Sequence, residues 1–170
     1  MINPFSIADK LILLTGASSG IGKRTAEILS QQGATVILVG RDENKLKTTL
    51  ELMDNKQKHF IFPFDLNRVD EIPRWVKEVV STIGKPLNGV VHSAGIHNTV
   101  PIRVLNSKVM NETMNINLFA GLSLLKGCSN KNVIATNGSF VFISSVMGLV
   151  GQAGVISYVA SKGAIVSAVK

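Results

Sequence analysis

Residues 11–22 read LILLTGASSGIG, an apolar run that passes without interruption into a glycine-spaced turn. Leu11 to Leu14 have the unbroken apolar pattern of a strand covered on both faces. Gly16 permits a tight turn off that strand, Gly20 lets backbone approach a ligand closely, and Gly22 allows close packing of the helix that follows. A helix starting there offers unpaired N–H groups and the positive end of its dipole to an anion. Three glycines alone are a weak signal. A strand before them, a helix after them and a place in the first βαβ unit give the stretch its weight.

Outward from this stretch, short apolar runs alternate with longer amphipathic ones. Strands are expected at 11–15, 35–39, 59–63, 87–92 and 139–144. Helices are expected at 20–32, 42–53, 69–83, 108–126 and 158–170, with Pro73 tolerated in a first turn. Turn signals stand at Gly33, Gly40, Gly84 with Pro86, and Asn137-Gly138. This order predicts one α/β domain over residues 1–170: a doubly wound parallel sheet with right-handed crossovers, layered α/β/α. The last expected helix is still in progress at Lys170, so the domain reads as incomplete at its carboxyl end.

The chain has 170 residues and is 45% hydrophobic, which suits one core and excludes a disordered chain. Its net charge is +7, but the 18 basic residues are scattered, with no basic stripe interleaved with aromatics. A nucleic-acid partner is therefore not expected. Cys128 is the only cysteine, which excludes an intrachain disulfide and leaves a packing role for the thiol. His59 and His97 have no partner at metal-ligand spacing, and no metal is expected. Residues 1–15 lack a basic leader pattern and no stretch is long enough to span a membrane, so a cytoplasmic protein is expected.

Two constellations carry chemistry. Tyr158 and Lys162 are four apart on an expected helix, so phenol and ammonium share one face. A free phenol ionises near pH ~10, and work near neutrality needs a shift of roughly 3 units, about 4 kcal/mol, toward the phenolate. Ser144-Ser145 follows the fifth strand, where a hydroxyl can hold and polarise a carbonyl. No G-x-S-x-G elbow surrounds Ser145 and no histidine follows it, which removes a serine-histidine hydrolase. Asn115 and Asn117 lie within an expected helix, where asparagine is a poor former.

Thr15 to Gly22 reproduces T-G-x-x-x-G-I-G, and Tyr158 to Lys162 reproduces Y-x-x-x-K. In these motifs the chain resembles the short-chain dehydrogenase/reductase superfamily, over residues 10–168. The resemblance implies a Rossmann fold and a nicotinamide cofactor held by Gly16, Ser18, Ser19, Gly20, Ile21 and Gly22. It places Asp65 and Leu66 at the adenine, and Ser93, Ala94 and Gly95, in the family's Asn-Asn-Ala-Gly position, beside the cofactor. The family's first Asn is His92 here, read as a satisfied structural histidine; the second is Ser93, which can still bond backbone. Strand two ends in Gly40-Arg41, with no Asp or Glu to accept from a ribose 2′-hydroxyl. Arg41 can instead clamp a 2′-phosphate, so NADP(H) is favoured over NAD(H). Asp42 is expected to cap the next helix.

By the same resemblance Asn117, Ser145, Tyr158 and Lys162 are the catalytic set, with Ser145 thirteen residues before Tyr158. Tyr158 and Lys162 also contact the cofactor. The implied reaction interconverts a ketone or 3-oxoacyl group and a secondary alcohol, as in 3-oxoacyl-carrier-protein reductases. The substrate is then a small-molecule or carrier-bound carbonyl, and the assembly a homodimer or homotetramer. A nucleotide-binding module without catalysis is the alternative.

Overall fold

The computed structural model describes residues 6–170; residues 1–5, part of the stretch read against a leader, lie outside them. Five parallel strands form one sheet in the order β3-β2-β1-β4-β5. They are β1 (Leu11–Thr15), β2 (Thr35–Gly40), β3 (Phe60–Pro63), β4 (Leu87–His92) and β5 (Ile134–Phe142). The helices are α1 (Gly20–Gln31), α2 (Glu43–Leu50), α3 (Ile72–Ile83), α4 (Ser107–Met114), α5 (Ala120–Cys128), α6 (Met147–Val150) and α7 (Ile156–Ala168). The doubly wound Rossmann-type sheet expected from the sequence is present.

β1 lies at the centre and is buried at all five positions, because both sheet faces are covered. Leu11 and Leu13 face one layer, with Ile37, Val39, the α3 residues Ile72 and Val76, and Leu124 of α5. Leu14 faces the other, with Val36, Leu38, Ala26 of α1 and Leu46 of α2. Cys128 is packed within the first layer, where burial pushes its thiol up to about 11. Asp42 caps α2 by accepting from Lys45 N–H at 3.1 Å. Among the described residues no helix is long and apolar enough to cross a membrane.

Several boundaries differ from the expectation. The helix expected at 108–126 is interrupted by a π turn, Asn115–Phe119, centred on a fully buried Asn117. The wider turn accommodates an amide drawn out of the helix toward the backbone of Ile96. Asn137-Gly138 does not separate elements but lies inside β5. There Leu87 pairs with Ile134 and Gly89 with Ser139, so the extra β5 residues form an irregular bulge. α7 starts two residues before Tyr158 and closes at Ala168, rather than running through Lys170.

α1 enters in close contact with the turn that leaves β1. A Cβ on Gly22 would overlap Gly16 O and lie 2.7 Å from Gly16 C, both backbone atoms that cannot rotate aside. Gly22→Ala therefore destabilises the fold even though alanine favours a helix interior by about 1 kcal/mol. The expected net loss is roughly 2 kcal/mol, read as a lower urea midpoint at unchanged slope.

Candidate functional site

The chain leaves β1 toward β2 on one side and, after β3, returns to place β4 on β1's other flank. This reversal opens a crevice beyond the carboxyl ends of β1 and β4, the topological switch point where open α/β sheets bind ligands. Thr15 and His92 are register partners at that edge. Thr15 Oγ1 donates to His92 Nδ1 at 3.0 Å and accepts from Ala94 N–H at 3.1 Å. His92 Nε2–H then donates to Ile116 O at 3.0 Å. One neutral tautomer satisfies the whole chain, and burial holds the His92 pKa down at about 4. His92 is thus the structural histidine expected, and it rather than Ser93 braces the sheet end. His59 is structural too, accepting from Val36 N–H at 3.1 Å and donating to Asp54 O at 2.7 Å.

The crevice is a cleft of about 340 Å³. Gly16, Ser18, Ser19, Gly20, Ile21 and Gly22 form one wall, and Arg41 and Leu66 line the end near β2 and β3. Ser93, Ala94 and Gly95 form the wall after β4. Gly16, at φ +68°, lies so close to this wall that a Cβ would sit 2.7 Å from Ala94 N. Ser19 caps α1 without a side-chain hydrogen bond, leaving the first N–H groups of α1 to the cleft. The residues present therefore fit a dinucleotide: a bare backbone cradle for a pyrophosphate and a guanidinium at the ribose end.

Asp65, Tyr158 and Lys162 do not line this cleft. Asp65 Oδ1 accepts from Asn67 N–H at 3.0 Å and from Asn67 Nδ2 at 3.2 Å, closing a local turn. Sequence reasoning missed Phe64, Ile96, Glu112 and Ile116, which do line it. Glu112 and Ile116 are four apart on consecutive helical turns, a spacing that could have marked them as one face.

Asn117, one of the four residues expected to be catalytic, has all its side-chain polar atoms engaged. Its Oδ1 accepts from Ile96 N–H at 2.8 Å, and its Nδ2 donates to Ile96 O at 3.0 Å and Ser161 Oγ at 2.9 Å. Ser161 Oγ in turn donates to Tyr158 O at 2.7 Å. Lys162 is 5% exposed, its Nζ donates to Ile143 O at 2.6 Å, and burial lowers its pKa. That ammonium lies 5.7 Å from the Tyr158 ring centroid, and Gly95 faces both it and Asn117. Ser144 Oγ donates to Lys162 O at 3.0 Å, a structural tie, while Ser145 Oγ accepts from Met147 N–H at 3.2 Å. His97, passed over as a metal ligand, stands edge-on to Tyr158 with ring centroids 4.7 Å apart. Among the described residues no three His, Cys, Asp or Glu side chains gather at a metal-binding spacing.

A glycine cradle at the switch point of a parallel sheet, beside a buried lysine and a tyrosine on one helix, defines a nucleotide-binding fold of the Rossmann type. The chain belongs to the short chain dehydrogenase family, whose model matches residues 10–170. It is 29% identical to the short-chain dehydrogenase/reductase ABA4 of Pyricularia oryzae, over 100% of this chain and 64% of that protein. It is 30% identical to the 3-oxoacyl-[acyl-carrier-protein] reductase FabG of Thermotoga maritima, over 96% of this chain and 67% of the relative. A short chain dehydrogenase from Shigella flexneri, solved as a complex with NADP, superposes with TM-score 0.83 at 32% identity. The superposition covers 94% of this chain and 69% of that one. The chain thus spans just under two thirds of the length of the first of these relatives.

His92 gives the site a pH signature. Its usual pKa of 6.5 falls to about 4 on folding, so between those values the unfolded chain binds a proton that the folded chain refuses. Stability is complete above pH 6.5 and falls as the pH drops toward 4. The loss is on the order of 3 kcal/mol, and His59, also lowered by burial, adds to it with the same sign. Urea midpoints should fall steeply from pH 7 to 4.5, and the slope should flatten in His92→Asn.

Proposed function

We propose that the chain carries the cofactor-binding and catalytic part of an NADP(H)-dependent oxidoreductase that interconverts a ketone or 3-oxoacyl group and a secondary alcohol. The observation that carries this reading is the cluster of Asn117 and Lys162 against Gly95 of the cleft wall, with Tyr158 tied to Asn117 through Ser161 and its ring 5.7 Å from the Lys162 ammonium. The nicotinamide, when bound, supplies the hydride that the carbonyl carbon accepts. Tyr158 gives its phenolic proton to the carbonyl oxygen, which becomes the alcohol. Ser145 orients that oxygen. Lys162 sets a positive charge beside the Tyr158 ring and would hold the ribose hydroxyls of a bound cofactor. Asn117 keeps Ile96 and α7 in register and completes the route by which the phenol regains its proton.

Preference for the 2′-phosphate rests on Arg41, which lines the cleft beside Ser18 and Ser19, with no carboxylate at the end of β2. The NADP carried by the Shigella flexneri relative supports the same reading. The FabG relative supports a carrier-bound or small-molecule carbonyl as substrate. A cytoplasmic homodimer or homotetramer built on the long helices completes the proposal.

Two variants test it. Tyr158→Phe should lower NADPH-dependent turnover of a ketone panel by about a thousandfold while leaving NADPH affinity within about threefold. Retained turnover would remove Tyr158 from the chemistry, and tight binding without turnover in the parent protein would favour a non-catalytic module. Arg41→Ala should weaken NADPH binding by about tenfold or more and leave NADH almost unchanged, because only the 2′-phosphate contact is lost. The single tryptophan, Trp75, stacks at 4.3 Å on Phe64 of the cleft wall, so its fluorescence reports this binding directly.

A further inference from the structure

Tyr158 stands in the first turn of α7, a turn that its own sequence does little to hold. The residue before α7 is Val155, which offers no side-chain cap, and no acidic residue in the first turn complements the helix dipole. The support comes from outside the helix. Val100 N–H donates to Gly154 O at 2.6 Å, tying the loop after β4 to the chain entering α7. Thr99 packs at the same point, where a Cβ on Gly154 would lie 3.3 Å from Thr99 Cγ2. At its other end the loop is fixed by Asn117, which engages both backbone groups of Ile96.

His97 lies between these two ties. An exposed loop histidine is ordinarily free to move, but this one is held on a short span pinned at both ends. Its imidazole meets the half-buried Tyr158 ring edge-on, at 72° and 4.7 Å between centroids. A pair of this geometry favours the held orientation of a ring over a free one by about two- to tenfold. The phenol needs that help, because misplacing a reacting group by about 1 Å costs on the order of a hundredfold in rate. We infer that His97 is a positioning residue: it holds the Tyr158 ring in the orientation required for proton transfer, through ring contact and not through a hydrogen bond to substrate. The inference rests on the reading of Tyr158 as the proton donor.

Tyr158 is the only tyrosine of the chain, so a tyrosine-labelled sample gives a single set of ring signals by NMR. In the parent protein these signals should be displaced from those of free tyrosine and show through-space contacts to a histidine ring. His97→Ala should abolish the contacts and move the signals toward the free values. With NADPH and a short 3-oxoacyl thioester of coenzyme A as probe, the same variant should lose about fivefold in kcat, with both KM values within about twofold. His97→Phe keeps an aromatic edge and should restore both kcat and the displaced signals. His97→Gln keeps a hydrogen-bonding group without the ring and should behave like the alanine variant. Tyr158 signals that do not respond to His97→Ala overturn the inference. So does rescue by Gln but not by Phe, or a loss that falls on the KM of the thioester instead of kcat, since either makes His97 a polar partner of the substrate. A parent protein that shows the ring contacts yet turns over no probe would instead remove Tyr158 from the chemistry, and the inference with it.

Discussion

One buried amide ties together three segments beyond the carboxyl ends of β1 and β4. Asn117 is completely enclosed, and each of its polar atoms has to find a protein partner because water cannot reach it. It does so by gripping both backbone groups of Ile96 and the hydroxyl of Ser161. Leaving any one of these unmade would cost about 1–3 kcal/mol, which is enough to hold the helix in a strained π turn. The grip ties together three segments that the chain order keeps apart: the loop after β4, the α4–α5 helix and α7. Tyr158 inherits its place from that tie, because Ser161, held by Asn117, also bonds the Tyr158 carbonyl.

His92 performs the corresponding task for the cofactor side. Its ring spans from Thr15, at the start of the phosphate loop, to the carbonyl of Ile116, the residue before Asn117. The end of β1 and the π turn are consequently linked through a single imidazole. Gly121 makes this possible, since a side chain there would strike both His92 and Phe142. A neutral ring is essential to the arrangement. Protonating Nδ1 would turn the acceptor of the Thr15 hydroxyl into a donor and leave that buried O–H without its partner.

The strands and the glycine loop were legible because their signals are local. Continuous apolar runs and glycine spacing depend on a few adjacent residues, and β1, β4 and α1 begin where those signals place them. The π turn was only half legible. Two asparagines inside a helical stretch announced an irregularity, but its form is set by the backbone of Ile96, some twenty residues earlier in the chain. The bulge in β5 was misread for a related reason. Asn-Gly is a strong turn signal by itself, yet pairing with β4 on both sides of it overrides the local preference. Glu112, Phe64 and His97 were invisible as site residues because nothing in their own neighbourhood differs from an exposed helix, a strand end or a loop. Only the fold brings them to the cleft or to Tyr158.

The same fold explains why Lys162 has to be where it is. A lysine ammonium carries three donors, and in this environment one is answered by Ile143 O while no carboxylate pairs with the charge among the described residues. Burial lowers its pKa, which means that the charged form is held at a free-energy cost. Oxygen acceptors arriving beside it, whether hydroxyls of a bound ribose or an oxygen gaining negative charge, would relieve that cost. An anionic oxygen would relieve more of it than a neutral one. A desolvated cation waiting without a counter-charge thus favours states with developing negative charge over the resting state, which is the direction in which a site must discriminate if it is to accelerate proton transfer.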